Sequence, residues 1–310
     1  MNMRSKIALM VCLFASVGAG VVQAQEKIVA GYTSLTANAP LFVAKQKGFF
    51  EKRGLNVELQ ALRGGNVLVP SLVANSVQIA TLTAPSLVQA VDGGLDLVSV
   101  TGMSLINLGQ KDSALVVRTG SNVNSVGDLK GRRIAVGTLG SISQVLFDKW
   151  LMMKGFDPKA FVYVEASYPQ MPDIIKNGSV DAVLIPDPFM TAITKSGSGT
   201  VLSYYFGEIR DDIPGMINVA TKDWAQKKSK EVALFREAID EAIAFTAANP
   251  DAMLAIVTET LKLPADVVKG TELTRFKSTV DTADMQWWID TMNEQKLLRT
   301  KLSPAQFTTK

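Results

Sequence analysis

Short apolar runs recur along the chain. Each gives way to a loop of small, hydroxyl-bearing residues, and apolar positions then return at helical spacing. Residues 27–32 (KIVAGY) form the first run, the loop at 33–37 follows, and Asn38-Ala39-Pro40 opens a helix. Asn38 is a good N-cap, and proline is tolerated in a first turn because its missing N–H would have no partner there. That helix carries Leu41, Phe42 and Ala44 inward and stops at Gly54. Residues 55–59 alternate as a second strand, with LRGGN at 62–66 and a helix from Val67 after it. A third strand spans 77–82, leading to Thr83-Ala84-Pro85-Ser86 and a helix, and a fourth spans 95–101 and ends at Gly102.

The plan then repeats. Residues 114–118 read as a strand crossing out of the first half, and 120–127 as polar turns. Residues 132–136 (RRIAV) form a buried strand running through GTLGSIS at 137–143 into a helix that ends near Gly155. Residues 161–164 and 180–185 are further strands, with Tyr168-Pro169-Gln170 and Pro186-Asp187-Pro188-Phe189 opening the helices that follow. Residues 201–205 make another strand, and 216–220 a returning one. The remainder is helical: 230–248 places Val232, Phe235 and Ile239 on one face, and 285–297 contains Trp287 and Trp288. Those tryptophans sit mid-helix, far from the strand-end loops, and read as packing residues rather than a ligand cage.

Strand, small-residue loop and helix in repetition predict an α/β fold of two lobes. Each lobe is a mainly parallel sheet flanked by helices, and crossing strands form a hinge between them. The expected division is 25–115 with 215–310 for the first lobe and 116–214 for the second. Ligands of open parallel sheets bind beyond the carboxyl ends of the strands, where these loops lie. A loop running into a helix N-terminus also points unpaired N–H groups and the positive end of the helix dipole at that space. For the 137–143 loop the plainer alternative is that Ser141 or Ser143 only caps a helix.

The first residues change the compartment. Arg4 and Lys6 precede an apolar run at 7–22, and Val22-Gln23-Ala24 has small residues at the two positions a signal peptidase reads. Residues 1–24 are therefore expected to be a cleaved secretory signal, with the periplasm as destination. The run is shorter than the roughly 20 residues that span a bilayer. The single cysteine, Cys12, lies inside it, so cleavage removes the only thiol. The formal charge of +3 falls by two when Arg4 and Lys6 leave. Such a balanced surface offers no footprint for nucleic acid or membrane.

The 310 residues include no histidine. The commonest general base, the commonest metal ligand and, after cleavage, the thiol nucleophile are all missing, and neither metal nor cofactor is expected. A carboxylate-only or Ser/Lys enzyme stays open on composition, but no Gly-x-Ser-x-Gly elbow or phosphate-binding loop supports one.

PLFVAKQKGFFEKRGLNVEL near the start, LVANSVQIATL, NSVGDLKGRRIAVGTLGS and NGSVDAVLIPDPFM together cover the length of the exported chain. In these segments it resembles the periplasmic solute-binding proteins of ABC importers. It is similar to the nitrate/sulfonate/taurine group, which also includes binders of pyrimidine precursors and aromatic acids. The resemblance implies the type II binding-protein fold, in which the cleft closes about a hinge, a monomer, and delivery to an inner-membrane ABC permease. It places ligand contacts at Ser34, Thr36 and Asn38; at Gly65 and Asn66; at Thr83 and Ser86; at Thr138, Ser141 and Ser143; and at Asp187. Arg63, at the end of strand two, is either the counter-charge to an anion or a solvated side chain. Asp187 is either a helix cap or a ligand contact. Leu35, Leu105, Ile142 and Phe189 are available as apolar walls.

The implied ligand is a small organic anion, an alkanesulfonate or an aromatic carboxylate. The alternatives are a heterocyclic solute of the pyrimidine kind, or delivery to a sensor in place of a permease. A pyrimidine-synthesising branch of the same superfamily consumes a histidine and uses a cysteine-rich iron motif, neither of which this chain has after cleavage.

Overall fold

The computed structural model describes residues 27–263 and 274–308. The expected signal segment, with Cys12 and the cleavage point after Ala24, lies outside the described residues. Among the described residues eleven strands form two sheets. The first sheet holds β1 (Lys27–Tyr32), β2 (Asn56–Ala61), β3 (Ile79–Thr83) and β4 (Leu97–Ile106). The second holds β5 (Ser113–Arg118), β6 (Arg133–Val136), β7 (Val162–Glu165), β8 (Ala182–Pro186) and β9 (Gly199–Ser203). The chain then returns to the first sheet as β10 (Ile213–Thr221), and β11 (Arg275–Phe276) completes it. The orders are β11-β4-β10-β3-β1-β2 and β7-β6-β8-β5-β9.

The strands joined by crossover helices are parallel, as expected: β1 with β2 and β3, and β6 with β7 and β8. The sheets as wholes are mixed. β10 runs antiparallel to β3 and β4, and β5 runs antiparallel to β8 and β9. β11 also runs antiparallel to β4. β5 and β10 are the strands that have just crossed from the other sheet, and each arrives from the opposite direction, so its polarity is reversed.

Two strand readings need correction. The fourth strand does not stop at Gly102 but runs on to Ile106, with all ten residues buried. Gly102 is there for close approach: its N–H donates to the Ser278 carbonyl at 2.6 Å, and an added Cβ would collide with the Lys277 carbonyl oxygen. Residues 114–118 are not a crossing strand but the interior of the second sheet, between β8 and β9. The crossings themselves are residues 107–112 and 204–212.

The helices relevant below are α1 (Ala39–Gln46), α2 (Phe49–Lys52), α3 (Gly65–Val73), α4 (Ala84–Asp92), α5 (Ile142–Met153), α6 (Met171–Lys176), α7 (Phe189–Lys195), α8 (Lys222–Lys227), α9 (Ser229–Ala248), α10 (Pro250–Leu261) and α11 (Thr282–Glu294). One apolar cluster joins α1, α2, α9 and α10 to the first sheet through Phe42, Phe50, Phe235 and Val257. A second belongs to both sheets at once. Leu87 and Val88 of α4, Val145 and Leu146 of α5, and Met285, Trp288 and Met292 of α11 are members of it. Trp288 is fully buried and donates to the Pro214 carbonyl at 2.9 Å, which bears out its reading as a packing residue. Gln295, just past α11, donates to the Val145 carbonyl at 2.8 Å.

Candidate functional site

The loops beyond β1, β2, β3, β6, β7 and β8 surround one cavity of about 810 Å³ between the two sheets. That volume falls within the roughly 300–1,000 Å³ typical of sites for organic molecules. Eleven of the twelve sequence-nominated residues line it, as do all four apolar candidates, Leu35, Leu105, Ile142 and Phe189.

From the first sheet come Ser34 and Thr36 after β1, Arg63, Gly65 and Asn66 after β2, and Thr83 and Ser86 after β3. The starts of α3 and α4 meet here. Gly64 holds a φ of 140°, which a side chain would resist, and offers no side-chain cap to α3. A Cβ on Gly65 would lie 3.1 Å from Ser86 Oγ, so glycine lets the two helix starts draw close. Thr83 caps α4, accepting from the Ser86 N–H at 3.3 Å, and its hydroxyl is 2.8 Å from Ser86 Oγ. Arg63 is exposed on the rim and makes no ion pair among the described residues. This corner presents positive helix ends and a guanidinium together.

From the second sheet come Thr138, Ser141 and Ser143. Ser141 stands at the N-cap of α5 yet makes no capping bond, and its buried Oγ has no partner. The cap-only alternative therefore fails for Ser141. Ser143 Oγ lies 3.3 Å from Tyr168 Oη, and the Ser143 carbonyl accepts from Tyr205 Oη at 3.0 Å. Burial pushes both phenols up from their ordinary pKa, so they stay protonated donors. Gly140 links the halves: its carbonyl accepts from Gln89 Nε2 of α4 at 3.0 Å, and its N–H donates to Gln144 Oε1 at 2.8 Å.

Asp187 holds a helix start and also lies on the cavity wall. Its Oδ1 accepts from the Thr191 N–H at 3.0 Å and the Thr191 hydroxyl at 2.7 Å, holding the start of α7, and the residue also lines the cavity. The Asp187–Pro188 peptide is cis.

Asn38 is the one nominated residue that does not line the cavity. It is fully buried away from the cavity, and its Nδ2 donates back to the Thr33 carbonyl at 2.6 Å. It makes no capping bond to α1 either, because the short turn before that helix directs its side chain back at the β1 loop.

Asp187 is one of three carboxylates here. Asp112 and Glu165 also line the cavity. Asp112 accepts from Gln110 Nε2 at 2.6 Å and from the Thr274 hydroxyl at 2.9 Å, and Glu165 accepts from the Leu139 N–H at 2.6 Å. Tyr168, Gln170 and Phe206 were missed as well. The strand-end rule applied to β7, as it was to β6, would have found Glu165, Tyr168 and Gln170. Asp112 carries no such signal, since it precedes a strand instead of following one.

A family model described as NMT1/THI5 like matches residues 36–253. The chain belongs to the NMT1/THI5-like family. Among its relatives is a Haemophilus influenzae protein named for thiamine biosynthesis, 34% identical over 148 residues, covering 47% of this chain and 45% of that one. Another is the Bacillus subtilis binding protein YtlA, 26% identical over 218 residues, covering 69% of this chain and 64% of that one. The chain thus spans about half to two thirds of the length of these relatives. Among solved structures, the alkanesulfonate-binding protein SsuA of Xanthomonas axonopodis pv. citri, bound to MOPS, superposes with a TM-score of 0.78. It covers 91% of this chain and 98% of its own at 22% identity, which establishes the shared α/β binding-protein fold.

Proposed function

We propose that this protein is the periplasmic solute-binding component of an ABC importer, and that it captures one small organic anion in the cavity between its sheets. The observation that carries the reading is convergence. Loops nominated from separate stretches of the chain, on both sheets, line a single cavity. Membership of the family, and the likeness of fold to a protein that binds alkanesulfonates, support the same reading.

The acid group fits the corner where α3 and α4 begin. Unpaired N–H groups and the positive dipole ends favour negative charge there. Arg63 adds a guanidinium, whose planar fork matches a carboxylate or sulfonate. The hydroxyls of Ser34, Thr36 and Ser86 complete the donor set. The two lobes, 25–115 with 215–310 and 116–214, close on the solute by a hinge at the crossings. A purely binding role agrees with a site that holds no histidine or thiol.

The carboxylates of Asp112, Glu165 and Asp187 favour a second reading, in which the solute is a heterocycle bearing N–H donors. Calorimetric titration of the purified protein decides between the two. Sulfonates and carboxylates are expected to bind at one per chain and to raise the melting temperature by mass action. Arg63→Ala is expected to weaken them about 10-fold or more, the range for loss of a charged hydrogen bond of about 1.5–3 kcal/mol. Binding of neutral heterocycles alone, indifferent to Arg63→Ala, would replace the anion reading by the second one.

A further inference from the structure

Thr274 and Arg275 stand where both crossings pass. The strand they open, β11, is two residues long, with Arg275 beside Leu105 and Phe276 beside Ser104 of β4. The Arg275 guanidinium reaches each crossing. Its Nη1 donates to Asn107 Oδ1 at 2.8 Å in the first, and its Nη2 lies 3.3 Å from Asp212 Oδ1 in the second. Asp211 Oδ1, 3.8 Å from Nη1, accepts in turn from the Leu108 N–H at 3.2 Å. The crossings also touch directly. The Gly109 N–H donates to the Gly207 carbonyl at 2.9 Å, and a Cβ on Gly207 would lie 2.6 Å from the Gln110 backbone.

A closed ring of hydrogen bonds ties this clamp to the cavity. From Arg275 it passes to Asn107, whose N–H donates to Gln110 Oε1 at 2.8 Å. Gln110 Nε2 donates to Asp112 Oδ1 at 2.6 Å, and Asp112 Oδ2 accepts from the Thr274 hydroxyl at 2.9 Å, which returns the ring to β11. Gln110 and Asp112 are buried, and with Thr274 they line the cavity. Arg275 and Asn107 do not line it, and the arginine side chain is 60% exposed. An exposed ion pair alone contributes little. Here a planar fork spans two chain segments and closes a network whose inner members are out of water, so losing one member leaves others unsatisfied.

We infer that Arg275 is a positioning residue: without touching the solute, it clamps the two crossings together and holds Gln110 and Asp112 in place on the cavity wall. This rests on the cavity being the solute site. Apparent affinity is the intrinsic affinity reduced by the fraction of molecules in the competent arrangement, so a loosened clamp weakens every solute.

Two variants outside the cavity, Arg275→Ala and Asn107→Ala, test it alone and together. Hydrogen exchange of the purified, solute-free protein, read by mass spectrometry, reports the clamp itself. Both variants are expected to speed exchange in peptides covering 105–113 and 203–213 and to leave α9 unchanged, which separates a freed clamp from a loosened fold. Calorimetric titration with benzoate and with ethanesulfonate reports the consequence. Each variant is expected to weaken both probes about 2- to 10-fold, the range for the net contribution of a hydrogen bond. The double variant is expected to be no weaker than the worse single one, because both break the same ring. Arg275→Lys keeps the charge with one nitrogen where the fork has two, and is expected to recover only part of the loss.

Unchanged exchange in the crossings overturns the clamp whatever the titrations show. Faster exchange with unchanged affinity, or additive losses in the double variant, overturns the link from clamp to cavity. Full recovery in Arg275→Lys, with Asn107→Ala binding normally, reduces Arg275 to a distant charge and overturns the inference while the anion reading stands. If neither probe binds the wild-type protein, the anion reading falls, and the clamp stands or falls on exchange alone.

Discussion

Asp148 gives the sharpest quantitative test of the structure. It lies on α5, only 8% exposed, and accepts a short hydrogen bond from Tyr163 of β7 and a longer one from Gln144 at 3.5 Å. No cation among the described residues is paired with it. Burial pushes its carboxyl up from 3.8 to about 6, against the smaller opposing effect of those two donors. The other titratable groups facing it are the phenols of Tyr163 and Tyr205, both pushed up and neutral across this range. The folded protein thus holds a proton that the unfolded chain releases near pH 3.8. Stability from this group is fully present below that value, falls as pH rises, and is gone above about pH 6.

Two pKa units at 1.36 kcal/mol each amount to about 3 kcal/mol. Asp148→Asn keeps the shape and the acceptor oxygen and removes the titration. Urea unfolding of the two proteins, followed by tryptophan fluorescence between pH 4 and 8, should give nearly equal stabilities at pH 4. The variant should be more stable by about 3 kcal/mol at pH 7 to 8. A gap that stays constant with pH, or a less stable variant at pH 8, would refute the reasoning.

Gly102→Ala forces a methyl group against the 277–279 backbone and is expected to destabilise by about 1–3 kcal/mol, read as a lowered thermal midpoint. Thr191→Val removes the hydroxyl that donates to buried Asp187, with an expected loss of about 1.5–3 kcal/mol in chemical denaturation. Asn38→Ala deletes the bond to the Thr33 carbonyl but no cavity contact. It should cost about 1 kcal/mol of stability and change titrated anion affinity far less than Arg63→Ala does. The reverse ranking would return Asn38 to the site.

What the sequence made legible follows from periodicity and from backbone economy. Strands that begin a βα unit carry compact apolar runs and end in residues small enough for a loop to turn, so 27–32 and 133–136 could be placed closely. Their loops could then be nominated together. The reversal of β5 and β10 left no trace, because a fully buried strand reads the same in either direction. Gly102 misled for a related reason: glycine marks both a chain that turns and a chain that another backbone touches. Asn38 shows the limit at side-chain level. Its type suited a cap and its position suited the site, but a short turn before α1 bent it toward Thr33 instead. Asp112 reaches the cavity only through the crossing between sheets, a tertiary fact with no local signature.

The apolar cluster that runs from α4 through α11 into α5 means the halves do not melt one after the other. Severing the polypeptide at residues 107–112 and 204–212 would yield fragments with raw, sticky faces, not a pair of autonomous folding units. A scanning calorimeter should accordingly record a single cooperative peak for the intact molecule, solute bound or absent.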